Sequence, residues 1–143
     1  MSVVEWKYAE PLSDDEDLHA LEEHVMLPLP TDFRAFVREH NGALPKPNAI
    51  SLSGGWEVLV NHLLRIESTA VDNLRACATA LWQEHRAMKL LPFANDPFGN
   101  LFCFEYSGRE VTGVVFWDHE NGASSRVGST FSEFVEALRE GET

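Results

Sequence analysis

Residues 91–120, LPFANDPFGNLFCFEYSGREVTGVVFWDHE, form the densest run of strand-forming residues in the chain, and such a run requires a sheet around which the rest must pack. Asp96-Pro97-Phe98-Gly99 places Asp, Pro and Gly at the first, second and fourth positions of a turn, the preferences of a type I β-turn, so a hairpin is expected there. Residues 100–106 then alternate between Leu101/Cys103/Glu105 and Phe102/Phe104/Tyr106. Side chains on a strand point to opposite faces in turn, so the aromatic set is expected in a core and the other set on a partly exposed face. After the Ser107-Gly108 break, residues 111–118 make a second strand with faces Thr112/Val114/Phe116/Asp118 and Gly113/Val115/Trp117, closed by a turn over residues 118–122.

The remaining segments supply helices to cover this sheet. Ser13-Asp14-Asp15-Glu16 has the form of a capping box, and Leu18, Leu21 and Val25 repeat at helical spacing after it. That stripe must face the body, which leaves Asp15, Glu22 and Glu23 outward and Asp14 and Asp17 near the rim. Pro28 and Pro30 stop the helix, and a second starts at Thr31 with Phe33, Phe36, Val37 and His40 on one side and Asn41-Gly42 as its left-handed end. Residues 43–55 read as a loop carrying a small edge strand at Ile50-Ser51-Leu52. Residues 56–60 read as a stronger strand that continues, through a kink, into residues 63–66. Val71, Leu74, Ala78, Leu81 and His85 step like a helix, residues 124–127 could add a last strand, and Thr130-Phe131-Ser132-Glu133 is a second capping box. The order of elements makes an α+β fold, a central antiparallel β-sheet flanked by about four helices, expected as one domain over residues 1–143.

Charge narrows the class of partner. The 23 acidic residues against 11 basic ones give a formal charge of −12, and residues 1–30 hold eight acids against Lys7. Such a field repels phosphate backbones, which argues against nucleic acid and for a basic protein as partner, although solubility alone also accounts for an acidic surface. No apolar run approaches the length of a membrane span and the N-terminus lacks the form of a secretory signal, so a cytoplasmic protein is expected. Cys77 and Cys103 stand far apart in unlike elements and read as two buried thiols rather than a disulfide or a metal pair.

Catalytic signatures are sparse. The chain has no phosphate-binding glycine loop, no dinucleotide fingerprint, no H-E-x-x-H and no G-x-S-x-G. Asp118-His119-Glu120 is the one cluster with the residue types of acid–base or metal chemistry, but neighbours on a strand point apart, and a polar turn accounts for them. Asp96 fits a local role accepting turn N–H groups, while Trp56 and Trp117 fit the core or its edge. No catalytic residue, metal or cofactor is expected; the rival is a small hydrolase using Asp118, His119 and Glu120.

Four blocks in order carry a resemblance. They are Leu29-Pro30-Thr31-Asp32-Phe33-Arg34-Ala35-Phe36 ending in Asn41-Gly42; Leu91-Pro92-Phe93-Ala94-Asn95-Asp96 with Gly99-Asn100-Leu101-Phe102-Cys103-Phe104; Val114-Val115-Phe116-Trp117-Asp118-His119-Glu120; and Phe131-Ser132-Glu133-Phe134-Val135. Together they resemble the SUKH superfamily, in the branch that includes the fungal cell-wall-synthesis regulator. The resemblance implies a single α+β domain without catalytic activity. In bacteria it implies an immunity protein that binds and neutralises a toxin, often a nuclease; a regulatory adaptor is the alternative. On charge and position, the candidates for contact with a basic toxin are Asp14, Asp15, Asp17, Glu22 and Glu23 of the first helix, Trp56 and Glu57, and Asp118 and Glu120 at the hairpin end.

Overall fold

The computed structural model describes residues 4–52, 54–87 and 89–141. Its elements run β1 (Glu5–Lys7), α1 (Glu16–Val25), α2 (Thr31–His40), β2 (Leu44–Lys46), β3 (Ala49–Ser51), β4 (Glu57–Leu59), β5 (His62–Leu63), α3 (Leu74–His85), β6 (Leu90–Asn95), β7 (Leu101–Ser107), β8 (Glu110–Trp117), β9 (Ser124–Gly128) and α4 (Phe131–Glu136). Strands β5 to β9 form one antiparallel sheet in sequence order, and β1–β2 and β3–β4 are two small antiparallel pairs. This is the expected α+β architecture with the expected sheet at its centre.

The alternation in β7 does set the main core. Phe102, Phe104 and Tyr106 are buried, and Phe104 pairs with Val114 and Phe102 with Phe116 across the ladder. Phe33 of α2 presents its ring edge-on to Phe93, Phe104 and Phe131 at centroid distances of 5.8, 5.2 and 5.2 Å, so α2 and α4 are both clamped to the sheet through aromatic edges. Leu18, Leu21 and Val25 of α1 join the same cluster, as their spacing requires.

The opposite face of β7, expected to be partly exposed, is half-buried at Leu101 and Glu105 but buried at Cys103. Leu81 of α3 and Leu90 pack on Cys103 and on Val115 and Trp117 of β8, and Trp82 closes the flank. Both faces of β8 are therefore covered, and its last five residues are buried without a break.

Three local corrections follow from competing contacts. The first helix opens at Glu16 without the Ser13 capping box: its N-cap is Asp15, whose side chain makes no capping bond and instead takes the Arg38 guanidinium on both oxygens, at 2.8 and 2.6 Å. The Asp15 carboxylate is thereby committed to a bidentate charge-assisted pair instead of the helix end. Val71 lies outside α3 and is 85% exposed, since Asn73 caps the helix by accepting the Ala76 N–H at 2.8 Å. The strand foreseen over residues 56–66 is divided between two sheets: β4 pairs with β3, while β5 pairs with β6. The Val60 N–H turns away to the carbonyl of Asn48 and the Asn61 N–H to that of Asn95, which breaks the run between them. The capping box at Thr130 forms as foreseen, with the Glu133 N–H donating to Thr130 Oγ1 at 3.1 Å. No helix among the described residues is long and apolar enough to cross a membrane.

Candidate functional site

The core face of the sheet outruns its helices at the far end of β8, and a groove opens there. Its volume is about 760 Å³. The β3–β4 hairpin forms one wall with Leu52, Trp56 and Val58; the turn between β6 and β7 and the end of β8 form the other, with Asp96, Phe98 and Asp118. Phe116 reaches it from the sheet. Trp56 is 75% exposed and Phe98 74% exposed, so two large rings border one concavity with most of their surface in water. Trp117 is buried, as expected; Trp56 departs from the expected core position because it precedes β4, in the bend that follows Gly54 and Gly55.

The turns that carry these rings are held by other groups. The nearly buried Asp96 accepts the N–H groups of Phe98 and Asn100 at 2.8 and 2.7 Å through Oδ1, and the Asn100 amide at 2.8 Å through Oδ2. Asn100 in turn accepts the His119 N–H at 3.0 Å and lies 2.6 Å from His119 Nδ1. Its oxygen can only accept, so the imidazole carries its proton on Nδ1. Asp118 Oδ1 accepts the Glu120 N–H at 2.9 Å. The imidazole of His119 therefore partners Asn100, and the Asp118 carboxylate braces its own turn. Among the described residues no group of three or more His, Cys, Asp or Glu is placed to hold a metal ion.

Of the nine residues proposed for partner contact, the fold brings Trp56, Glu57 and Asp118 together in the groove. Glu57 lies 2.9 Å from Arg139 Nη2, so its charge is offset locally. Glu120 is exposed in the turn after Asp118. The other five belong to α1 and the turn before it and line no part of the groove. Asp14, Asp17 and Glu23 are exposed, but Asp15 and Glu22 are engaged within the molecule. Glu22 holds Arg34 at 2.5 Å and accepts the Leu29 N–H at 2.8 Å, fastening α1 to α2 and the link between them. The hydrogen bond from Arg38 holds the Asp15 carboxyl below its ordinary pKa. Phe98, Asp96 and Asn100 were missed as groove residues. An aromatic in the third position of a tight turn, with no strand to bury it, is the signal that would have found Phe98.

A model of the SMI1 / KNR4 family (SUKH-1) matches residues 12–137. The chain belongs to that family. The match takes in both walls of the groove of this SUKH-1 domain, all four helices to within a residue, and every strand except β1. No curated protein matches the chain as a relative.

Proposed function

We propose that this SUKH-1 domain is a non-catalytic binding protein that neutralises a basic protein toxin in the cytoplasm, as an immunity protein. The observation that carries the reading is the groove: an open concavity with exposed aromatic rings at its rim and carboxylates in its walls, on a chain of formal charge −12. Exposed aromatics beside a desolvated floor are the composition of a protein-binding hot spot, and complementary charge speeds encounter with a cationic partner. The engagement of His119 with Asn100 and of Asp118 with its own turn supports binding over hydrolysis.

The test is protection. The gene should have a toxin gene as its neighbour; cells expressing that toxin should survive when the chain is co-expressed, and the two purified proteins should elute as one complex. His119→Ala should leave protection unchanged. Loss of protection together with a measurable hydrolase turnover that His119→Ala abolishes would replace this reading with the enzymatic one. Absence of both protection and complex would remove the immunity function.

A further inference from the structure

Trp56 and Phe98 expose about three-quarters of their surface, whereas the other Phe, Trp and Tyr rings are buried or half-buried apart from Tyr8, which does not line the groove. Both adjoin the same groove, which is apolar at Phe116 on its floor and at Leu52 and Val58 in one wall. Among the described residues no lysine or arginine lines that groove; Arg139 pairs with Glu57 from beside it, which leaves Asp96 and Asp118 as the lining carboxylates with no cation paired to them among those residues. The N–H groups that bond these two carboxylates orient them without cancelling their charge. The cavity thus combines aromatic faces, an apolar floor and negative charge. A guanidinium suits all three: it is weakly hydrated, stacks on aromatic faces and binds carboxylates with a planar fork, whereas an ammonium is compact and strongly hydrated.

We propose that the groove is the docking surface for the toxin and receives an arginine-bearing segment with flanking aliphatic side chains, the guanidinium meeting the exposed rings and Asp118. The proposal rests on the function proposed above and names its surface and the partner's chemistry. A second copy of the chain is a poor occupant, since it would bring another formal charge of −12 to an acidic site. Phosphate-bearing ligands are disfavoured for the same reason.

The experiment uses the full chain, isotopically labelled, titrated by NMR with the capped peptide acetyl-Leu-Arg-Leu-Arg-Leu-amide and with its lysine and glutamate counterparts. The arginine peptide should shift the Trp56 indole N–H and the amides of Phe98, Asn100 and Asp118, and bind several-fold more tightly than the lysine peptide. W56A/F98A should weaken it about tenfold or more, a loss of the size typical of hot-spot aromatics. Asp118→Asn keeps the turn acceptor and removes the charge, and should weaken it less. Gln83→Ala, a charge-neutral change on the exposed side of α3 and outside the groove, should leave the peptide's affinity unchanged. Shifts confined to α1, equal binding of the glutamate peptide, no shift at millimolar peptide, or indifference to W56A/F98A would each overturn the docking surface. The toxin itself separates the two levels. A toxin complex unaffected by W56A/F98A removes this surface and leaves the immunity function standing. A toxin that fails to bind the unaltered chain removes the function, whatever the peptide does.

Discussion

Asn41 is wholly buried, and its side chain closes a network that no local pattern announces. Its oxygen accepts the Ile66 N–H at 2.9 Å, and its amide donates to Glu67, whose other oxygen takes Arg65 at 2.7 Å. Arg65 also reaches Glu10 at 3.2 Å, so one amide and one guanidinium tie the end of α2 to the start of the chain and to the segment after β5. The Asn41-Gly42 pair was legible as a helix end, and Gly42 does supply the left-handed turn at φ 72°, but Asn41 itself is extended and works through its side chain. Asn41→Ala should cost about 1–3 kcal/mol, the range for a buried donor or acceptor left without a partner, measured by chemical denaturation. Burial opposes ionisation of Glu67, yet hydrogen bonds from Arg65, its own backbone and Asn41 outweigh it and hold its pKa low. Asp15 is lowered as well, by Arg38. Both groups bind protons more weakly folded than unfolded. The stability they contribute is therefore complete above the ordinary carboxylate pKa of about 4 and is lost as pH falls through their lower folded values. Glu67→Gln should leave a flatter acid limb in a plot of unfolding free energy against pH; an unchanged limb would show that Glu67 does not take part.

Elements with a single buried face were the legible ones. The stripe on α1, the Thr130 cap and the aromatic alternation of β7 each stand as their residue spacing required. Phe104 lies stacked on Phe93 at 4.4 Å and meets the edge of Phe33 at 5.2 Å, so Phe104→Ala should destabilise the fold by about 3–5 kcal/mol. A thermal melt unchanged by that substitution would take the ring out of the core. Burial on both faces erased the alternation in β8, where the cover over Val115 and Trp117 comes from α3, a distant segment whose docking side no strand pattern encodes. The same limit hid the division of residues 56–66 between two sheets and the pairing of β1 with β2, both fixed by long-range partners. At the site, Trp56, Glu57 and Asp118 were legible as candidates, while the engagement of Asp15 and Glu22 was not, since their cations come from the next helix.

At the scale of the molecule, the formal charge of −12 bears on the proposed encounter with a basic partner. Attraction of a basic partner is screened over about 8 Å at physiological salt, so the association rate should fall as salt rises. The charges to reverse are Asp14, Asp17 and Glu23, which are exposed; reversing Asp15 or Glu22 would set lysine against Arg38 or Arg34 and perturb folding as well. D14K/D17K/E23K should slow association with the toxin and leave dissociation nearly unchanged in surface-plasmon kinetics. An on-rate indifferent to both salt and reversal would assign the acidic excess to solubility. The groove is organised on another basis. The bend at Trp56 is held by backbone bonds between Leu52, Gly55 and Trp56, and the turn at Phe98 by the Asp96 carboxylate. Neither exposed ring supports the backbone that displays it. Natural variation can therefore exchange the two side chains for others while the scaffold keeps its stability, so on the proposed docking role a lineage could retune its grip by two substitutions, leaving the interior untouched.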